Sequence, residues 1–172
     1  WGTTSLRGVI AGELKISTLE NGIHSGMGSG IVPSVWMVLR SLLDRIESQE
    51  TGEILLDELQ ATPPSFRVEE AQKAAKLLDK DILAADPLID DTRAISENTK
   101  NLLLNNSWKP ALSITGIDEI PAIETAGNVC LPSITLKLST RLPPIINPGN
   151  AQAALKKALE NNPPYNATVS YT

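Results

Sequence analysis

From Leu6 to Thr18 the chain alternates, with Ile10, Gly12, Leu14 and Ile16 on one side and Val9, Ala11, Glu13 and Lys15 on the other. That period-two pattern predicts a strand with one buried face. A glycine-rich stretch follows, Asn21-Gly-Ile-His-Ser-Gly-Met-Gly-Ser-Gly30, and then a helical spacing that predicts a helix from near Pro33 to about Ser48. Proline suits a first helical turn, where its missing N–H would be unpaired anyway. Val35, Leu39, Leu42, Leu43 and Ile46 make the core stripe of this helix at 3.6-residue spacing. Trp36, Met37 and Val38 widen the apolar arc beyond what one sheet face needs. A deeply buried helix and a second buried face at a subunit interface both account for it.

Residues from about 53 to 108 have a different texture and are expected to form a helical insertion. Glu53-Ile-Leu-Leu56 reads as a short strand and Ala61-Thr-Pro-Pro64 as a break. Ser65 can cap a helix bearing Val68, Ala71, Ala75, Leu78 and Ile82 on one side; Asp86-Pro87 ends it, and Ser96 can cap a further helix through Leu104. The charge run Asp79, Asp81, Asp86, Asp90 and Asp91 reads as a solvated face.

Strand signals return at Ala111–Gly116 and, more strongly, from Val129 to Leu142. There Ile134, Leu136 and Leu138 alternate with Thr135, Lys137, Ser139 and Arg141 until Pro143-Pro144 stops the ladder. Asn150 is expected to cap a helix carrying Ala151, Ala154, Leu155, Ala158 and Leu159, with a final strand after Asn161-Asn-Pro-Pro164. With the insertion set aside, the order is strand–helix–strand–strand–helix–strand. This is the α+β, ferredoxin-like split βαβ sandwich: a four-stranded antiparallel sheet with two helices on one face.

The 172 residues, 41% of them hydrophobic, suffice for one domain with a real core and exclude wholesale disorder. No apolar run approaches the ~20 residues of a membrane-spanning helix, so no membrane partner is expected. A formal charge of −5 offers no counter-charge for nucleic acid. A single cysteine, Cys130, excludes an internal disulfide, and a single histidine, His24, excludes a multi-histidine metal site. A reducing, cytoplasmic setting is the default. The chain opens on Trp1-Gly-Thr-Thr and closes on a strand, from which residues 1–172 are expected to be one domain excised from something larger.

Candidate chemistry is sparse. Asp90-Asp91 lacks the spaced, glycine-bearing loop of a calcium hand, and no Gly-x-Ser-x-Gly elbow is present. Gly26-x-Gly28-x-Gly30 sits between strand and helix without the register of a phosphate loop; a flexible loop that lets a side chain reach outward fits it better. In that stretch stands His24, either a surface structural residue or a functional one. Arg141 lies on the polar face of a strong strand just before a Pro-Pro turn. Its guanidinium can grip a carboxylate bidentately or simply be solvated on an open sheet face. Cys130 reads as a small buried hydrophobe.

Two segments together resemble a known family. Ser5-Leu-Arg-Gly8 followed by His24-Ser-Gly-Met-Gly-Ser-Gly-Ile-Val-Pro33 before an apolar helix is similar to the lid, or dimerisation, domain of zinc-dependent exopeptidases of the carnosinase, dipeptidase and aminoacylase-like kind. Gly127-Asn-Val-Cys-Leu-Pro132 leading to Ser139-Thr-Arg-Leu-Pro143 is similar to the strand of that family that ends in Arg-Leu-x-Pro, and Ser113-Ile-Thr-Gly116 to the short strand before it. The insertion resembles the long lids of the carnosinase-like branch. There are departures: Gly28, Ser29 and Gly30 stand where many relatives have an aromatic residue and two glycines, and Ile31 replaces a usual proline.

The resemblance implies a parent hydrolase acting on peptide or amide bonds, with two zinc ions, a bridging water and a general-base glutamate in a separate catalytic domain. It implies that His24 enters the neighbouring subunit's active site and stabilises the developing oxyanion. Arg141 would bind the terminal carboxylate of a peptide or N-acyl amino acid, and Asn128 would contact substrate. The partners implied are the chain's own catalytic domain and a second copy, paired through the first helix and an edge strand. The fragment alone, lacking metal ligands, is expected to be inactive. A non-enzymatic small-molecule-binding or oligomerisation module remains the competing class, since this fold hosts many functions.

Overall fold

Alternation along two long strands organises the protein. The structure, a computed structural model, describes residues 6–83 and 88–172; Trp1–Ser5 and the Asp86-Pro87 helix end lie outside the described residues, as do the side chains of Asp79 and Lys80. The elements in order are β1 (Gly8–Ser17), β2 (Ile23–His24), α1 (Ser25–Gly28), α2 (Val35–Leu43), α3 (Ser65–Leu78), α4 (Thr99–Trp108), β3 (Ala111–Asp118), β4 (Val129–Cys130), β5 (Ser133–Leu142), α5 (Pro148–Glu160) and β6 (Thr168–Tyr171). The main sheet runs β3-β5-β1-β6 with every neighbouring pair antiparallel, and β2 pairs with β4 in a small second sheet. Without α3–α4 and the small sheet, this is the ferredoxin-like arrangement expected.

Register sets the core. Leu14 lies opposite Leu136 and Ile16 opposite Ile134, so each strand turns the same face inward. Ile10, Leu14, Ile16, Ile134, Leu136, Leu138 and Leu142 are buried there against Val35, Val38, Leu39 and Leu42 of α2 and Ala151, Leu155 and Leu159 of α5. Of the wide apolar arc on α2, Val38 joins this core, Met37 is half-buried and Trp36 stays 38% exposed. Arg45, just past α2, donates to the carbonyls of Ala158 and Asn161 at the end of α5 at 3.1 and 2.7 Å, a favourable place for a cation.

Gly12 leaves a gap in the buried inner face of β1, and the ring of Tyr171 fills it. A Cβ at position 12 would lie 2.5 Å from Tyr171 Cζ, and Tyr171 is fully buried. Gly12→Ala is therefore expected to destabilise the fold by about 1–3 kcal/mol, the usual range for overpacking. Urea denaturation checks this, and in a Tyr171→Leu background the same change should lose most of its effect. Glu160 and Lys156 of α5 clasp the end of β6: the Tyr171 N–H donates to Glu160 Oε1 at 2.7 Å, and Lys156 Nζ donates to the Tyr171 carbonyl at 2.7 Å. The Lys156 ammonium, aided by that N–H, holds the Glu160 carboxyl below its ordinary range.

Several boundaries differ from expectation. The first helix is regular only to Leu43, although Ile46 still reaches the core. Glu53–Leu56 makes a single bridge, Glu47 to Ile54, because a 3-10 turn at Asp57–Leu59 follows at once. The cap of α4 is Asn98, whose Oδ1 accepts from the Asn101 N–H at 3.2 Å; Ser96 instead accepts from the Asn98 N–H in the turn before it. The cap of α5 is Asn147 rather than Asn150: the Asn150 N–H is the donor it satisfies, and Pro148 takes the first helical position. The strand expected from Val129 to Leu142 breaks at Leu131-Pro132 into β4 and β5, since Pro132 has no N–H to give and its carbonyl instead accepts from the Thr18 N–H at 2.9 Å. In the insertion, Val68, Ala71, Ala75 and Leu78 are only half-buried, and α3 packs on α4 rather than on the sheet. Among the described residues, no helix is long and apolar enough to cross a membrane.

Candidate functional site

His24 sits on a paired platform rather than in an open loop. It lies opposite Val129 in the small sheet, and the next N–H, that of Ser25, donates to the Asn128 carbonyl at 2.8 Å. The chain then turns through α1, where Gly28 is buried; a Cβ there would come 2.7 Å from Ile23 Cδ1 and 3.1 Å from Cys130 Sγ. A glycine at this point lets the turn close on the hairpin. Cys130, expected to be buried, is half-buried under it. The imidazole itself is exposed, and its Nδ1 accepts the Gly26 N–H at 3.1 Å. In the neutral ring the proton therefore stays on Nε2, which makes that atom a donor.

The same pairing brings Asn128 beside His24, with its side chain exposed. Their chain neighbours Ser25, Gly127 and Val129 line an open groove of about 870 Å³, together with Ile31, Trp36 and Met37 among others.

Arg141 is elsewhere. It is the penultimate residue of β5, exposed on the sheet face away from α2 and α5, opposite Val9 of β1 and Ala111 of β3. The eight residue steps from Ser133 to Arg141 span ~27 Å at ~3.4 Å per step. The structure therefore brings His24 and Asn128 together and holds Arg141 at the opposite end of the sheet. A dipeptide spans only ~7 Å, short beside the length of β5 that lies between Arg141 and the β4 end where His24 is paired.

Sequence reading missed Arg7 as part of this end of the sheet, having used it only as part of a motif. Its guanidinium is half-buried and donates to the carbonyls of Asn105 and Lys109 at 3.2 and 3.1 Å and to Asn106 Oδ1 at 2.9 Å, at the C-terminal end of α4. Burial lowers its pKa, and the charge of Arg141 lowers it further. The readable signal was alternation: Val9 faces Arg141, and two residues earlier Arg7 continues the same face.

The edge formed by β3 is uncovered. Ile114 and Ile117 pair with the inward-facing Leu138 and Leu136, yet they are 47% and 39% exposed because α2 and α5 cover the other strands. At the far edge, the α5 clasp occupies the outward groups of Tyr171. Among the described residues no three His, Cys, Asp or Glu side chains come together as a metal site, so they do not fit a zinc centre.

No protein-family model and no curated protein matches the chain. Solved structures do. The di-peptidase Dug1p from Saccharomyces cerevisiae superposes with a TM-score of 0.78 at 20% identity, covering 99% of this chain and 36% of that one. Human carnosine dipeptidase 1 gives 0.78 at 20% identity over 99% of this chain and 37% of its own. The M20 family metallo-carboxypeptidase Sso-CP2 from Sulfolobus solfataricus gives 0.71 at 15% identity over 96% and 37%. The chain thus has the fold of a part, just over a third in length, of these peptidases.

Proposed function

We propose that this chain is the lid and dimerisation domain of a zinc-dependent exopeptidase that cleaves peptide or related amide bonds, in line with the fold it shares with part of M20 peptidases. The two zinc ions, which activate water for attack on the amide carbon, belong in this reading to a catalytic domain outside these residues. His24 serves the neighbouring subunit: its exposed Nε2–H donates to the oxyanion that develops on the scissile carbonyl. Arg141 binds the substrate's terminal carboxylate through its two-pronged guanidinium, and Asn128, beside His24, supplies a further polar contact. Closure of the lid brings these groups onto the substrate and excludes water.

The observation that carries the reading is the separation of His24 and Arg141 by the length of β5. Two exposed polar groups that far apart suit two different active sites of a symmetric pair, and they do not suit a pocket within one chain. The pairing surface in this reading is the β3 edge with its bare Ile114 and Ile117, together with α2 and its part-exposed Trp36. Sedimentation of the 172-residue chain tests it: a dimer is expected. Ile114→Lys, an exposed substitution that spares the core, should weaken the dimer at least tenfold; a wild-type monomer at high micromolar concentration would refute this surface.

A further inference from the structure

At the Arg141 end of the sheet two guanidinium groups share one face. Val9 lies opposite Arg141, and Arg7, two residues before Val9, is its diagonal neighbour on that face, within reach of long side chains. Like charges so placed repel, and the charge of Arg141 is felt at Arg7. Among the described residues neither has an acidic partner; the ion pairs there use Lys15, Arg67, Lys109 and Lys156 as cations. Glu50 and Glu53 line the groove beside Arg7, but Glu53 is taken by Lys109 at 3.0 Å.

Arg7 is held in this position by the insertion. Three of its five N–H groups go to Asn105, Lys109 and Asn106 at the end of α4, which leaves two free to meet an anion. Helix C-terminal carbonyls favour a cation there and keep it beside Arg141 against the repulsion.

We propose that Arg7 and Arg141 together form a seat for two carboxylates, so that the site favours peptides ending in an acidic residue. This rests on the reading of Arg141 as the carboxylate-binding residue and adds a specificity-determining role for Arg7: Arg141 takes the terminal carboxylate and Arg7 the side-chain carboxylate. The helical insertion then sets specificity through the position of Arg7.

The probes are N-acetyl-alanyl-glutamate, N-acetyl-alanyl-glutamine and the glutamine peptide's C-terminal amide, titrated into the 172-residue chain while the arginine Nε–H NMR signals are followed. Wild type should bind the glutamate peptide about fivefold more tightly than the glutamine one, the scale of a single semi-exposed charge contact. Arg7→Gln should abolish that preference, while Arg7→Lys, which keeps the charge, should retain part of it. Because Arg7→Gln also loosens α4, wild type at 0.5 M NaCl gives an independent reading, and there the preference should shrink toward unity. Equal wild-type affinity for the two acids at low salt, with both still dependent on Arg141, would overturn the role of Arg7 and leave Arg141 standing. If Arg141→Gln alters neither acid and the amide binds as well, the underlying reading fails too.

Discussion

Under the proposed lid role, replacing His24 with alanine in the full-length protein is expected to lower kcat about 100- to 1000-fold, the range for losing one oxyanion donor, with little change in KM. The ring is exposed, and among the described residues its hydrogen bond is from the Gly26 N–H to Nδ1. Thermal stability should therefore move by less than ~1 kcal/mol, the usual scale of surface changes. A donor that acts only on charge developing in the transition state affects kcat and leaves ground-state binding alone. His24→Gln, which keeps an N–H donor, should recover part of the loss. Steady-state kinetics beside thermal melts read both quantities. A wild-type kcat for His24→Ala would remove the residue from catalysis.

The second large effect is expected at Arg141. Arg141→Ala should reduce kcat/KM on substrates with a free terminal carboxylate about 10- to 100-fold, mostly through KM. That is the loss of a charge-assisted pair of hydrogen bonds, ~1.5–3 kcal/mol. The matching amide should be cleaved equally well by variant and wild type, because it offers no negative charge to the guanidinium. The fold gives no reason for collapse, since Arg141 is exposed on the open sheet face and its neighbours Thr140 and Leu142 carry the burial. A variant equally impaired on acid and amide would show that Arg141 acts on something other than the carboxylate.

What could be read from the chain depended on how local the cause was. Ile134, Leu136 and Leu138 declare β5 because burial on one face imposes alternation over ten residues, and Pro143-Pro144 ends it for a local steric reason. The cap of α5 was misplaced because Asn147 and Asn150 are equally good capping types; Pro148 at the first helical position was the cue that separates them. The insertion gave weaker boundaries because its apolar stripe is half-buried, so selection for periodicity is relaxed there. His24 could be singled out from its glycine-rich surroundings, but its seat could not, since that seat is made by pairing with Val129 far along the chain. Arg7 was hidden for the same reason: the carbonyls that hold it come from residues 98 and 102 positions away. Alternation places a side chain on a face; only tertiary structure supplies its partners.

Subunit mixing tests most directly whether His24 and Arg141 act in different subunits' sites. Full-length His24→Ala and Arg141→Ala enzymes, each impaired alone, would be dissociated, combined in equal amounts and reassociated. If each active site draws Arg141 from its own chain and His24 from its partner, every hybrid dimer contains one site with both groups intact. Random pairing then restores about a quarter of wild-type activity. If both groups served the site of their own chain, each hybrid site would lack one of them, and the mixture would be no more active than the average of the two variants.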